Sequence, residues 1–523
     1  MAQLNFSPWM DAYNSVLCSP DTELKEIVLE ALELIRFDAD ICMHFEVCLD
    51  RAAKGAKKDR MTAATALADA TSCLPGIPGW TAEDAGALSV EDLELSQGRP
   101  RGIDGEIALI LGVVRAHFGS MSSKEAVERI RDSETLNSYF RARGRKMPSR
   151  SAINAWLNCI PEECWQLVFE THLRMVREEG LDDMSEITAD SFSVWADSAW
   201  PTDSGMILGL LNRAWRCASK LPEFGLPTFL QAKIDLWLER IRTFDRQIAF
   251  ACGKPGSRRR IRRLYTKLYK HAELCLARFD RQLPALLLAW HGGVASLPLF
   301  ARADATMFVN RVLSDLADTA KVIAYSRKRV VRGESTPMAE KILSLADPDA
   351  AYIKKGGREP VLGYKPQLVR SSEGFITAFE LQKGNPADAA RLVPMVDQHI
   401  ANTAVRPVVV SVDDGYSSGR NRQALLERDV EVISMNGAKG KKITPEQEWH
   451  SEPYKQARDK RSAVESLVYT FRFKFHVYRF SRRGLTGVRA EIFEKVVAHN
   501  FWRATILRKR AAARERPDRS TAA

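Results

Sequence analysis

The segment VVVSV (408–412) constrains the fold more than any other, because a short run of β-branched residues is typical of a buried strand. Asp413 and Asp414 follow this strand directly, and Gly415 and Tyr416 come next. Asp and Gly adopt turn conformations readily, so a simple turn is one interpretation of these residues. Sheets with flanking helices, however, bind ligands beyond the carboxyl ends of their strands. The segment therefore predicts a buried sheet with a candidate functional site at the end of this strand.

Other strand patterns lie on both sides of a long helical region. Period-two alternation in EITADSFSVWADSAW (186–200) predicts the first strand of the sheet. The segments VLGYKPQLVRS (361–371) and FITAFELQKG (375–384) predict a hairpin, because the turn-forming residues 372–374 separate them. The segment VEVIS (430–434) predicts a further strand after a short helix.

Helical patterns fill most of the remaining chain. The first 180 residues carry apolar side chains at three- and four-residue spacings, as in GEIALILGVVRAHFG (105–119). In RARGRKMPSRSAINAWLNCI (141–160), Pro148 and Ser149 are expected to open a helix after a basic loop. Short helices joined by basic turns are compatible with a helix-turn-helix reader of DNA, although most helical hairpins bind nothing.

Together these patterns predict an α/β fold, in which a mixed sheet has a large all-α insertion after its first strand and follows an all-α N-terminal region. A connection is expected at 54–80, a polar loop at 437–454, and two long helices at about 456–479 and 487–510. The predicted domains are a helical N-terminal region (1–180), the first strand of the sheet (181–203), a helical insertion with a basic patch (204–345), the remainder of the sheet domain (346–510) and a basic tail (511–523).

The chain is basic, since 77 Lys+Arg outnumber 66 Asp+Glu and give a formal net charge of +11. This excess indicates a polyanionic partner, nucleic acid before membrane, because no apolar run is long enough to cross a bilayer. The block GSRRRIRRLYTKLYK (256–270) contains seven cations and no acid, so it is either a solvated helix face or a contact surface for the DNA backbone. Its cations are Arg258, Arg259, Arg260, Arg262, Arg263, Lys267 and Lys270.

The nine cysteines have no CxxC spacing, and none lies beyond Cys275. This usage favours a reduced, cytosolic protein without structural zinc. Cys42, Cys48, Cys159 and Cys164 are interpreted as small buried side chains rather than ligands. The first residues lack the basic and apolar pattern of a secretory signal.

Two further carboxylates are candidates to join Asp413. Asp190 lies within the predicted first strand, and Glu465 lies on an amphipathic helix. Taken singly, the three acids are explained by a strand end, a turn and a helix-surface ion pair of Glu465 with Arg461. Taken together, they suit two-metal phosphoryl chemistry, in which carboxylate oxygens hold two Mg²⁺ ions about 3.5–4 Å apart.

Three arginines surround Glu465 on its helix. At 100° per residue, Arg461, Glu465 and Arg472 fall within about 40° of each other, and Arg458 falls within roughly 60°. Guanidinium groups bind phosphate oxygens bidentately, which lysine does less well. We therefore expect Arg458, Arg461 and Arg472 to contact the phosphates of a nucleic acid.

An ordered set of motifs resembles the DDE transposases of bacterial insertion sequences, which have an RNase H-like catalytic core. The matching segments are ADSF…WPTDSGMILGLL (189–211), KKGGREPVLGYKPQLV (354–369), GFITAFELQKGNPADAARL (374–392), VDDGYSS (412–418), RSAVES (461–466) and RGLTGVRAEIFEKVVAHNFWR (483–503). They cover most of 145–505 and occur in the order of the family.

The resemblance implies that Asp190, Asp413 and Glu465 are the catalytic, metal-binding carboxylates. Arg461 and Glu465 align with the family motif Y-x2-R-x3-E-x6-K, in which Arg472 occupies the lysine position and Arg458 the tyrosine position. Asp413 is interpreted as the metal ligand and Asp414 as its solvent-side neighbour, and the exchanged assignment stays open.

The resemblance also implies an activity. A DDE transposase binds the terminal inverted repeats of its element, here through the helical N-terminal region and the basic block, hydrolyses the phosphodiester at the ends and joins the 3′-hydroxyl to target DNA. It uses two Mg²⁺ ions, with Mn²⁺ able to substitute. The expected partners are double-stranded DNA and a second copy of the chain when DNA is bound, in the bacterial cytoplasm at the nucleoid. Two alternatives are a domesticated or inactive DNA-binding relative and an RNase H-like metal nuclease without strand transfer.

Overall fold

The computed structural model describes residues 6–19, 22–50, 103–119, 123–228, 231–293, 296–354 and 359–515. The connection expected at 54–80 lies outside these residues. The chain divides into two compact units. Unit 1 comprises Met1–Ala52, Arg99–Asp197 and Asp349–Ala523, and unit 2 comprises Ala53–Gly98 and Ser198–Pro348.

All of the described strands belong to unit 1. They are β1 (Glu186–Ser191), β2 (Val194–Trp195), β3 (Ala351–Ile353), β4 (Val361–Tyr364), β5 (Gln367–Ser371), β6 (Ile376–Glu380), β7 (Val409–Val412) and β8 (Val432–Met435). A five-stranded mixed sheet has the order β6-β5-β1-β7-β8. The strand at 408–412, the hairpin of β5 with β6 and the strand near 430–434 are confirmed.

The pairing directions bring several strand ends to one edge of this sheet. β7 pairs in parallel with β1 and β8, whereas β5 pairs antiparallel with β1 and β6. β1, β6, β7 and β8 therefore all run in the same direction, and their carboxyl ends lie at the same edge. The amino end of β5 lies at that edge too, because Gln367 pairs with Ser191.

One face of the sheet is buried against the helix Leu392–Thr403. Ile187 and Ala189 of β1 belong to one buried apolar cluster with Val410, Val412 and Met395. Successive side chains of a strand point to opposite faces. Asp190 therefore points away from this cluster, toward the other face of the sheet.

A second, three-stranded sheet has the order β2-β4-β3, and it corrects two predicted strands. The segment 186–200 is not one strand but β1 and β2, which lie in different sheets. The segment 361–371 is likewise interrupted at Lys365 and Pro366, because proline lacks the N–H that a continuous ladder needs. Gly363 allows β2 and β4 to approach closely, since a Cβ atom there would lie 1.9 Å from the carbonyl oxygen of Val194.

The rest of unit 1 is mainly α-helical within the described ranges. The helices are Phe6–Leu17, Thr22–Phe37, 40–50, Gly105–Phe118, Ser123–Asp132, Glu134–Ala142, Arg150–Cys159, Glu162–Glu178, Leu392–Thr403, Gly419–Leu426, Ala438–Ile443, Glu446–Trp449, Glu452–Lys460, Ser462–Phe473 and Leu485–Glu515. The predicted helix start after Pro148 is confirmed, because Ser149 caps the helix by accepting a hydrogen bond from the amide of Ala152.

The C-terminal third differs from the prediction in three respects. The segment 437–454 contains short helices and is not simply a polar loop. The helix expected at 456–479 is two helices that meet at Arg461, and the second ends at Phe473. His476 lies in the turn that follows this helix. Its φ of 53° is a backbone conformation that α-helices do not contain. The last helix continues to Glu515, five residues beyond the predicted end at 510.

Buried charges connect the last helix to the N-terminal helices of unit 1. Arg508 forms ion pairs with Glu30 and Glu179, and His172 lies 2.8 Å from the same Glu30 carboxylate. Arg115 similarly pairs with Glu494 at 2.6 Å. A buried carboxylate such as Glu30 is tolerated because these partners compensate its charge.

Unit 2 is helical over its described residues. Its principal helices are Asp203–Ala218, Gln231–Ala251, Arg258–Gly293 and Leu299–Arg327, and they enclose one apolar core. A buried ion pair of Arg213 with Asp315 joins the first and last of them. In neither unit does a described helix combine the length and apolarity required to cross a membrane.

Candidate active site

Asp190 and Asp413 lie side by side at the edge where the parallel strands end. Ala189 of β1 pairs with Val412 of β7, so the next residues, Asp190 and Asp413, occupy adjacent positions on neighbouring chains. Paired strands are about 4.8 Å apart. The structure thus brings together two of the three carboxylates that the sequence singled out.

Asp413 and Asp414 have different environments. The Asp413 carboxylate accepts a hydrogen bond from the amide of Gly415 at 3.0 Å, which stabilises the turn after β7. The Asp414 carboxylate instead accepts from the amides of Lys439 (2.8 Å) and Gly440 (3.1 Å), at the start of the helix Ala438–Ile443. Asp414 thereby supplies acceptors for a helix N-terminus. Asp414 is thus engaged by the following helix, whereas Asp413 lies at the sheet edge beside Asp190.

A third carboxylate, Asp388, lies at the same place. One oxygen of Asp388 and one of Asp413 lie 3.3 and 3.1 Å from the position that a Cβ atom on Gly415 would occupy. Asp388 opens the short helix Asp388–Ala390, which follows β6. Because β6 runs parallel to β1, the chain that leaves it begins at the edge where Asp190 and Asp413 lie.

The combined negative charge of the three acids affects the pKa of the buried Tyr416. Burial raises the pKa of the Tyr416 phenol well above its ordinary value, and the negative charges of Asp388, Asp190 and Asp413 raise it further. The phenol therefore stays protonated and donates a hydrogen bond to the side-chain oxygen of Gln367 at 3.1 Å. Tyr416 is therefore a neutral hydrogen-bond donor, held by Gln367, next to the three carboxylates.

A lysine compensates part of this charge. Lys365 lies 2.8 Å from Asp388, with side-chain exposures of 9% and 15%, and it also donates to the carbonyl of Pro386 at 3.1 Å. Gln367 donates to the same Asp388 oxygen at 3.3 Å. One Asp388 oxygen is thus held by Lys365 and Gln367, while the other faces the Asp413 turn.

Glu465 lies on the helix Ser462–Phe473, which contacts β1. The chain from Lys460 to Arg472 runs alongside β1. Lys460, the last residue of the preceding helix, pairs with Glu186 at 2.7 Å, and Arg472 donates to the carbonyl of Ser193. The carboxylate of Glu465 is 61% exposed and pairs with Arg461 at 2.8 Å. The structure therefore places Glu465 on a helix next to the strand of Asp190, with its side chain held by Arg461.

The three arginines predicted to bind phosphate differ in their exposure and in the contacts that they already make. Arg461 is engaged by Glu465, and the Arg472 guanidinium lies against the ring of Phe192 at 5.8 Å from its centroid. Arg458 is 41% exposed and lies 3.5 Å from Asp459. Arg458 is thus the most accessible of the three.

In unit 2, the predicted basic block forms one exposed surface of the helix Arg258–Gly293. Leu264, Tyr265 and Leu268 face the core, while the cations of the block are exposed. The exposed side chains are those of Arg258, Arg259, Arg260, Arg262, Arg263, Lys267 and Lys270. Within the described part of the chain, none of these seven forms an ion pair with an acidic residue. Their mutual repulsion is therefore not relieved by the described carboxylates.

Asp388, Lys365 and Gln367 were missed by the sequence analysis. A sequence signal for Asp388 existed, because it follows Gly384 and Pro386 in the turn after a predicted strand, as Asp413 directly follows one. Lys365 carried no such signal, since it was assigned to the interior of a continuous strand.

Open α/β sheets bind ligands beyond the carboxyl ends of their strands. Carboxylates clustered at such an edge can supply oxygen ligands to a divalent cation. Residues 303–501 match the family model described as Transposase DDE domain, which supports a DDE transposase and implies a DNA substrate. Asp388, Asp413 and Glu465 lie within the matched residues, and Asp190 precedes them. Searches of curated proteins and of solved structures gave no match.

Proposed function

We propose that this protein is a DNA transposase of an insertion sequence, with an RNase H-like core. It binds the terminal inverted repeats of its element, hydrolyses the phosphodiester at each end and joins the freed 3′-hydroxyl to target DNA. The observation that carries the proposal is the adjacency of Asp190 and Asp413 at the ends of paired parallel strands. The match to a Transposase DDE domain supports the same reaction.

The donor set fits hard divalent cations. Asp190 and Asp413 offer carboxylate oxygens, which Mg²⁺ prefers and Mn²⁺ accepts, and Glu465 is the proposed third ligand from the adjacent helix. Bound ions would acidify the attacking water or hydroxyl and stabilise the leaving oxygen. To bind metal, the Glu465 side chain breaks its ion pair with Arg461 and turns toward Asp190 and Asp413. Its exposed position allows this change of conformation.

The arginines and the basic surface serve DNA binding. Arg461, once released from Glu465, and the exposed Arg458 bind phosphate oxygens near the scissile bond, and Arg472 holds the strand end through Ser193. The basic surface of unit 2 neutralises backbone phosphates, so binding weakens steeply with salt. Because two transposon ends must be brought together, a homodimer forms on DNA.

A labelled oligonucleotide with the end of the element, incubated with the full chain and Mg²⁺, tests the proposal. We expect cleavage at the end and, with target DNA added, a joined product. Binding without cleavage would identify an inactive DNA-binding relative, and cleavage without joining would identify a nuclease. Either result contradicts the transposase assignment. A scrambled oligonucleotide of equal length controls for sequence-independent binding.

A further inference from the structure

A second group of potential ligands lies in the N-terminal part of unit 1, formed by His44, Cys48 and Cys164. His44 and Cys48 are four residues apart on the helix 40–50, so their side chains lie on one face of that helix. Cys164 comes from the first turn of the helix Glu162–Glu178. One ligand atom from each of the three residues lies within 4.8 Å of the other two.

The three residues combine converging ligand atoms with full or partial burial. Cys48 and Cys164 are 5% and 0% exposed, and the neighbouring Phe45 and Trp165 rings pack edge to face, 5.6 Å apart. The Nε2 atom of His44 is buried and has no hydrogen-bond partner among the described residues. Buried polar atoms nearly always have a partner. A ligand that accepts the lone pair of this nitrogen would supply one.

We propose that His44, Cys48 and Cys164 bind one divalent transition-metal ion, with Zn²⁺ the best fit to two thiolates and one imidazole. Binding releases two thiol protons, so that two S⁻ ligands neutralise the 2+ charge of the ion. The resulting group is uncharged overall, which makes its burial beside Phe45 and Trp165 inexpensive. Three protein ligands leave a fourth coordination position, which a ligand from solvent would fill.

The site would join the helix 40–50 to the helix Glu162–Glu178, which are separated by more than a hundred residues in the chain. A sequence search for zinc motifs overlooks it, because the two cysteines are far apart and only the H-x3-C pair is local. The proposal revises the expectation of a chain without structural zinc, and it does not depend on the proposed transposase reaction.

Metal binding by the full chain tests the proposal. The reduced protein is titrated with Cd²⁺, and thiolate-to-metal charge-transfer absorption is recorded, while elemental analysis counts the Zn²⁺ retained after dialysis. We expect one equivalent for the wild type and a loss of that equivalent in Cys48→Ser, Cys164→Ser and His44→Ala. Cys159→Ser, which replaces an exposed cysteine, should retain it.

Two further measurements keep the test decisive if a variant folds poorly. Zn²⁺ should raise the melting temperature of the wild type and of Cys159→Ser, and binding should release two protons per ion in weakly buffered solution. Less than one equivalent of metal on the wild type would overturn the proposal. Equal loss in Cys159→Ser would do so as well, because it would indicate unspecific binding to thiols.

Discussion

Two buried histidines should make unit 1 sensitive to mild acid. His499 lies 3.1 Å from the carbonyl oxygen of Gly374, and His399 lies 2.8 Å from the Thr377 hydroxyl, so both support β6 and the turn before it. Burial lowers the pKa of each imidazole to about 4. The positive charges of Arg503 and Arg370 lower the pKa of His499 further.

The sign and size of the effect follow from these values. An unfolded histidine has a pKa of about 6.5 and binds a proton that the folded protein excludes, so stability is complete above that pH and is lost as the pH falls toward 4. Between pH 7.5 and pH 5, each histidine should remove about 2 kcal/mol from the free energy of unfolding.

His499→Phe isolates one of the two groups. The side chain packs against Phe471, Phe475 and Trp502, so phenylalanine fits the same surroundings without a titrating group. Urea unfolding at pH 7.5 and pH 5 measures the loss of stability on acidification. We expect this loss to be about 2 kcal/mol smaller in His499→Phe than in the wild type. His450→Gln, at an exposed position, should leave it unchanged. An equal loss in His499→Phe and the wild type would refute the reasoning.

Three further predictions concern the candidate site and the basic surface. Glu465→Gln should abolish cleavage of an oligonucleotide that carries the element's end, and it should leave DNA affinity unchanged. Glu446→Gln, which replaces another exposed glutamate, should cleave normally. Near-normal cleavage by Glu465→Gln would exclude Glu465 as a metal ligand. Lys365→Met should lower the free energy of unfolding by about 2 kcal/mol, because the partly buried Asp388 loses its cation. Asp388→Asn should restore part of this loss in a double-mutant cycle of urea unfolding, whereas additive losses would show no coupling. Changing the five arginines of 258–263 to alanine should flatten the dependence of DNA affinity on salt, measured by titration at several salt concentrations; an unchanged slope would leave the block without phosphate contacts.

The sequence predicts those parts of the fold that local chemistry determines. β7 forms where β-branched residues cluster, and the hairpin of β5 with β6 forms around Gly374, whose φ of 98° suits glycine. The break at Arg461 was not predicted, because Arg461 and its neighbours continue the helical pattern without glycine or proline. At the break, the amide of Arg461 donates to the carbonyl of Arg458, three residues earlier instead of four, and the amide of Val464 donates to the carbonyl of Arg461.

The candidate site was predictable to the extent that strand ends determine it. Asp190 and Asp413 end parallel strands, so their proximity follows from the sheet. Asp388 joins them only because its loop returns to the sheet edge and is held there by Lys365, a contact between residues 23 positions apart that no local pattern encodes. The position of Glu465 depends on where its helix packs against the sheet, which helical periodicity does not determine.

The ion pairs of Arg508 have a practical consequence for work on the C-terminus. A chain shortened before this residue would lose more than its basic tail. Among the described residues, the buried Glu30 would then keep only His172 as a charged or hydrogen-bonded side-chain partner. Reduced DNA binding by such a truncation would therefore reflect misfolding of the N-terminal helices as readily as missing DNA contacts. A chain shortened after Glu515 keeps the ion pairs of Arg508 with Glu30 and Glu179.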